Sequence, residues 1–354
     1  MSGLLERLGI RVPIFQAPMA GVSTPALAAA VSDAGALGGI AVGASDAAGA
    51  RAMIGEVRGA TARPFNVNVF VHTAARSDPD REAAWLAGLA PTFRRYGAEP
   101  PAALRPIYPS FNDDDAMLAA LVEAAPAVVS FHFGLPHAGR AAALRAHGAT
   151  LIACVTSVAE GLQAEQAGLD AVVAQGYEAG GHRGVFEPGA PDGQLGTHVL
   201  TRLLVQRLHV PVIAAGGIMD GAGIVAVLRL GAVAAQLGTA FVACPESSAS
   251  AAHRAALLSG DAALTVMTTS ISGRPARTLV NRFTALDATL SSLTPPDYPI
   301  AYDAGKALHA AAVQHGEHGY GAHWAGQGAP LARALPAREL IAALARELPE
   351  WIGE

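Results

Sequence analysis

Pro211-Val212-Ile213-Ala214-Ala215-Gly216-Gly217-Ile218 is a run of small and branched apolar residues that stops on paired glycines. One helix further on, Ala232-Val233-Ala234-Ala235-Gln236-Leu237-Gly238-Thr239 repeats the arrangement. Runs this short, apolar throughout rather than alternating, fit strands covered on both faces. Working outward, similar runs occupy residues 12–19, 37–42, 65–70, 127–133, 150–156 and 171–175. Alanine-rich amphipathic stretches lie between them, at 25–34, 137–147, 158–167, 198–208 and 221–230. Several are followed by a glycine (Gly35, Gly148, Gly168, Gly231), the residue that best tolerates a left-handed helix C-cap.

Eight strands alternating with helices predict a parallel α/β fold, and eight is the closing number of a (β/α)8, or TIM, barrel. The competing doubly wound sheet requires a phosphate-binding glycine loop after its first strand. Met19-Ala20-Gly21-Val22-Ser23 has no such pattern, whereas glycines gather after the sixth, seventh and eighth runs, where barrels grip phosphate. The barrel is therefore predicted over residues 1–245, with a helical excursion at about 71–106. Residues 246–315, with a helix candidate, a possible strand at 263–271 and an arginine-rich piece, read as a smaller domain covering the barrel mouth. Residues 316–354 include an amphipathic stretch, 331–352, expected to pack back on the barrel.

Composition removes several function classes. The chain has 354 residues and a net charge of −5, and its densest basic cluster is Arg94-Arg95, so phosphate-neutralising nucleic-acid binding is not expected. No apolar run reaches the roughly 18 residues of a membrane span, and residues 1–11 lack the apolar core of a signal peptide. Cys154 and Cys244 are too few for a disulfide framework and have no metal-ligand spacing, so no metal is expected. A soluble, cytoplasmic enzyme is the expectation. One compositional oddity stands out: of 24 basic residues, a single one, Lys306, is lysine.

Candidate chemistry follows from position. Gly216 and Gly217, with Asp220-Gly221 opening a helix, and Gly238-Thr239 let backbone N–H groups approach a phosphate. Gln175-Gly176-Tyr177-Glu178-Ala179-Gly180-Gly181-His182-Arg183-Gly184 is a tight loop that sets an imidazole at a strand end. His132, in Phe131-His132-Phe133-Gly134, is a polar residue in an apolar strand and must find a partner or a ligand. Asn68 offers an amide to a heterocycle edge, and Pro18 in Gln16-Ala17-Pro18-Met19 bends the backbone past a ligand. Tyr108 is a weaker aromatic candidate. Tyr298, Tyr302 and Lys306 are spaced four and four, so one helical face would present two phenols and an ammonium, with Pro299 at the first helical position.

Together these blocks resemble the nitronate monooxygenase family, in its bacterial-type first class, from about Pro13 to Lys306. The resemblance implies an FMN-dependent (β/α)8 barrel with a smaller substrate domain. It implies oxidation of alkyl nitronates, propionate 3-nitronate above all, by O2 through single-electron transfer to flavin. The products would be a carbonyl compound with nitrite and nitrate. By the same resemblance Gln16, Ala17, Pro18, Met19, Asn68, Gln175, Gly180, Gly181, Gly216, Gly217, Gln236, Gly238 and Thr239 would bind FMN. His132, His182 and Lys306 would be catalytic, and Tyr108, Tyr298 and Tyr302 would bind substrate. The partners implied are a small nitronate and O2, in a monomer or homodimer. The sequence departs from the family at His253, where a tyrosine is expected, and at Ala36, where a glycine is usual. The alternatives are an NAD(P)H-dependent flavin reductase on the same fold (quinone or enoyl-acyl-carrier-protein reductase) and a non-catalytic flavin-binding barrel.

Overall fold

In a computed structural model, which describes residues 3–348, each of the eight apolar runs contains a strand. They are β1 (Ile14–Gln16), β2 (Gly38–Ala41), β3 (Phe65–Phe70), β4 (Val128–His132), β5 (Thr150–Val155), β6 (Ala171–Gln175), β7 (Val212–Ala215) and β8 (Ala234–Leu237). Each pairs in parallel with its sequence neighbour, and β8 pairs with β1. A parallel bridge between Phe15 and Leu37, with Gln16 N–H donating to Leu37 O at 2.8 Å, joins β1 to β2 and completes the ring. The fold is a (β/α)8 barrel.

The connecting helices end where the glycines predict: Gly35, Gly148, Gly168 and Gly231 have φ of +96°, +85°, +76° and +102°. Strand residues divide by parity. Val67, Val69, Val129, Phe131, Leu151 and Ala153 face the helices, whereas Phe15, Val128, Ile152, Val173 and Ile213 fill the barrel interior. Leu4, Leu5, Leu8 and Ile10, on and just after the helix Gly3–Arg7, join that inner cluster and plug the N-terminal face. The opposite face, at the strands' C-terminal ends, is left for the site.

The amphipathic stretch near the C-terminus forms the helix Ala337–Glu347; residues 349–354 lie outside the described residues. Its Leu340, Ile341 and Leu344 pack on Leu27 and Val31 of the first barrel helix and Ile224 and Val225 of the seventh. It thus occupies the eighth helical place. Between β8 and this helix, the strands Thr265–Thr268 and Ala276–Leu279 form an antiparallel sheet whose third member is Gly181–His182, from the loop after β6. The excursion after β3 carries the helix Pro79–Arg95, whose Trp85, Leu89 and Phe93 share an apolar cluster with Phe283, Ala304 and Leu308. The last two belong to, or pack with, the helix Ile300–Val313.

Candidate active site

A cavity of about 770 Å³ opens at the C-terminal ends of the strands. Its floor follows from the pleat. Asn68, Ser130, His132, Cys154, Val173, Gln175, Ala215 and Gln236 all have inward parity and all line it. Of the residues singled out from the sequence, Ala17, Pro18, Met19, Asn68, Tyr108, His132, Gln175, Gly180, Gly181, His182, Gly216, Gly217, Gln236, Gly238, Thr239, Tyr298, Tyr302 and Lys306 reach its wall. Gln16 does not. Phe15 and Ala17 take the inward positions on either side of it, and Gln16 points outward, 1% exposed, accepting from Gly39 N–H at 2.8 Å and donating to Ser23 Oγ at 2.8 Å.

One end of the cavity is built from glycine backbone. Gly216 and Gly217 adopt φ of +126° and +70°; the Gly216 amide continues the β7–β8 ladder, and the Gly217 amide has no acceptor among the described residues. A Cβ on Gly216 would lie 2.6 Å from Thr197 Oγ1, and one on Gly180 would lie 2.5 Å from the backbone of Ala325 and Gly326. Glycine is therefore dictated by close approach as well as by dihedral angle. Glu178 braces the loop by accepting from Thr197 N–H and Oγ–H at 2.8 and 2.9 Å. Buried Arg183 ties it down further, donating to Gln175 O and Gly176 O and pairing with Asp192 at 2.8 Å. An unpaired N–H group at a glycine turn suits an anionic group such as phosphate. On the same cavity wall, Asn68 donates both its bonds to Ser130, and no donor reaches its carbonyl oxygen among the described residues. Both ends of the Gln175 amide are engaged, by His182 O and Gly184 N–H.

The other end is aromatic and titratable. Phe133, Tyr298, Tyr302 and Trp324 surround the His182 ring, with centroids 5.7, 5.3, 6.0 and 5.0 Å away. His132 Nε2 lies 3.1 Å from His182 O, and His182 Nε2 lies 2.8 Å from Ser272 Oγ. Burial, with the Arg274 charge adding to it, lowers His132 to about 4 and His182 to about 3, so both imidazoles are neutral at pH 7. Burial pushes Tyr108 and Tyr302 up to about 12 and raises Tyr298 as well, which keeps the phenols protonated as donors. Lys306 sits at the exposed rim, its Nζ 5.3 and 5.2 Å from the ring centres of Tyr108 and Tyr302. Among the described residues no carboxylate pairs with it. The helix begins at Ile300 with Pro299 as N-cap, so Tyr298 precedes the helix instead of sharing its face. Its ring nevertheless converges on Tyr108, at 6.5 Å.

Several site residues escaped the sequence reading. Arg274, 2% exposed, lies 4.3 Å over the Phe133 ring and donates to Val185 O, yet its Nε has no partner and no carboxylate reaches it among the described residues. Phe133 itself is held at φ +78°, a costly angle for a non-glycine residue. His72, behind Tyr298 at 5.1 Å, has an unpaired Nδ1. His253, by contrast, already stood out in the sequence as a departure from the family; it lines the cavity and stacks on His323 at 4.9 Å and 10°. The usable signal was Ser272-Gly273-Arg274-Pro275-Ala276-Arg277: two arginines around a proline, in a chain only 15% charged, both of which prove buried.

The profile of the nitronate monooxygenase family matches residues 2–347. The chain is 61% identical over 351 residues to a nitronate monooxygenase of Paraburkholderia phytofirmans, covering 99% of this chain and 96% of that one. It is 57% identical to a nitronate monooxygenase of Pseudomonas aeruginosa, covering 96% and 97%. A solved nitroalkane oxidase from Streptomyces ansochromogenes superposes with a TM-score of 0.90 at 41% identity, covering 99% of each chain.

Proposed function

The chain belongs to the nitronate monooxygenase family, and from that premise we propose that it binds FMN and oxidises small alkyl nitronates, propionate 3-nitronate among them, with O2. The products are a carbonyl compound with nitrite and nitrate. The observation that carries the reading is one cavity with two chemically different ends: glycine backbone at one, and at the other phenols, imidazoles and an ammonium that no carboxylate pairs with among the described residues. The donor set fits a flavin mononucleotide. Gly216, Gly217, Gly238 and Thr239 would hold its phosphate, and Asn68 a ring edge. Bound there, the flavin supplies one-electron oxidation.

The chain's own residues do the rest. A nitronate is already a carbanion equivalent, so no strong base is needed, and neutral His132 and His182 are consistent with that. Lys306 attracts the substrate carboxylate to the rim, and the protonated Tyr108, Tyr298 and Tyr302 donate hydrogen bonds to anionic oxygens. Residues 246–315 act as the unit covering the substrate, over a barrel of 1–245, and of the segment 316–354 the described part, up to residue 348, returns to the barrel. The protein acts in the cytoplasm as a monomer or homodimer.

Anaerobic mixing tests this reading. Propionate 3-nitronate should reduce the bound flavin by one or two electrons, read as loss of its oxidised visible absorption, within one turnover time, and NADH should not. Bleaching by NADH or NADPH alone would assign a reductase on the same barrel, and no bleaching by any of them a non-catalytic flavin protein.

A further inference from the structure

The segment Ser272–Arg274, which none of the assignments above uses, bears on the side chain at the centre of the aromatic ring. Ser272 is wholly buried, and its Oγ lies 2.8 Å from His182 Nε2 and 3.2 Å from Arg274 O. A serine hydroxyl has one proton, and a backbone carbonyl can only accept. Among the described residues no other donor reaches Arg274 O. If Ser272 gave its proton to His182, that carbonyl would be left bare; if it gives it to Arg274 O, its lone pair must accept from His182 Nε2–H. Only the second arrangement satisfies all three groups.

We infer that Ser272 is a positioning residue that fixes His182 as the neutral Nε2–H tautomer and leaves its Nδ1 as a bare acceptor at the cavity. Nδ1 has no partner among the described residues, yet it is not among the walled-off unpaired atoms, so it is open to the cavity that His182 lines. The backbone at His182 is held by Gln175 and His132, which both donate to its carbonyl, at 2.9 and 3.1 Å, and its ring is confined by Tyr298 and Trp324 at 5.3 and 5.0 Å. The second of these bonds also sets His132, since a carbonyl acceptor requires a proton on its Nε2. Both imidazoles thus carry their proton on Nε2 and leave Nδ1 as an acceptor. A nitronate oxygen, itself an acceptor, is repelled by a bare Nδ1, so anion binding falls to Lys306 and the phenols, and His182 receives hydrogen bonds or protons from the ligand. That use rests on the nitronate reading; the tautomer does not.

The test is spectroscopic. Flavin-loaded holoenzyme carrying 15N-histidine is examined by two-bond proton–nitrogen correlation at pH 7, with His182 assigned by the signals lost in H182N. Expected is a protonated Nε2 and a bare Nδ1 in the wild type, and a mixture of tautomers in S272A. A wild-type His182 protonated on Nδ1, or on both nitrogens, overturns the inference, and so does an S272A spectrum identical to the wild type. Should S272A not fold, the wild-type spectrum alone decides. Since no turnover is involved, a protein inactive on nitronates would sink the functional reading and leave this measurement standing.

Discussion

Lys306 is the one place where a chain otherwise committed to arginine presents an ammonium, and the structure sets it over two phenol rings at the mouth of the cavity. Because it is exposed, its attraction for a carboxylate is screened, on the order of 1 kcal/mol. Lys306→Met should therefore raise the KM for propionate 3-nitronate about three- to fivefold with kcat nearly unchanged, and the effect should shrink in high salt. Steady-state kinetics at two ionic strengths would settle it; an unchanged KM removes Lys306 from substrate binding. Lys306, His132 and His182 were legible because each sits at a strand end or on a helical spacing that periodicity can place. Gln16 was legible as important but not in direction: only the position of Phe15 inside the barrel shows that the next residue points out. Ser272 and Arg274 were not legible, because they reach His182 through antiparallel pairing of Ala276 with His182 across more than ninety residues, and short-range patterns carry no record of such a contact.

Some elements in this barrel meet through glycine as well as through apolar side chains. A Cβ on Gly38 of β2 would stand 1.9 Å from Ala28 O, in the helix that precedes it, so strand and helix backbones touch with nothing between them. Gly38→Ala must push the helix off the sheet, at a cost of about 1–3 kcal/mol or more. Gly55, by contrast, lies exposed within the helix Ala47–Ala60 with no atom within 4 Å of its would-be Cβ. Gly55→Ala should stabilise by about 0.5–1 kcal/mol. Denaturant midpoints of the two variants should move in opposite directions; a loss at both positions would contradict the packing described. The strands themselves were the easiest elements to read, since burial on both faces leaves an unbroken apolar run. The small antiparallel sheet was read only in part, because its third strand is two residues borrowed from the loop after β6.

At the scale of the whole molecule, five of the twelve histidines sit buried or half-buried and stay neutral. Burial lowers His72, His132, His253 and His323 to about 4 and His182 to about 3, against 6.5 when free. Between those values the unfolded chain binds more protons than the folded one, so stability rises with pH in that window and is lost as pH falls below about 6.5. The unfolding temperature should decline steadily from pH 6.5 toward 4.5 while changing little between 7 and 8.5; a flat profile down to pH 5 would mean these rings are protonated in the fold. The ring of helices has its own consequence. The helix Ala337–Glu347 fills the eighth place although a hundred positions separate its start from the end of β8. On the ribosome, all eight strands and seven barrel helices emerge well before it, so Leu27, Val31, Ile224 and Val225 wait with their shared apolar strip open to solvent. That waiting seam, rather than the barrel interior, is where a nascent chain would be most exposed to chaperone capture or to mispairing with another copy.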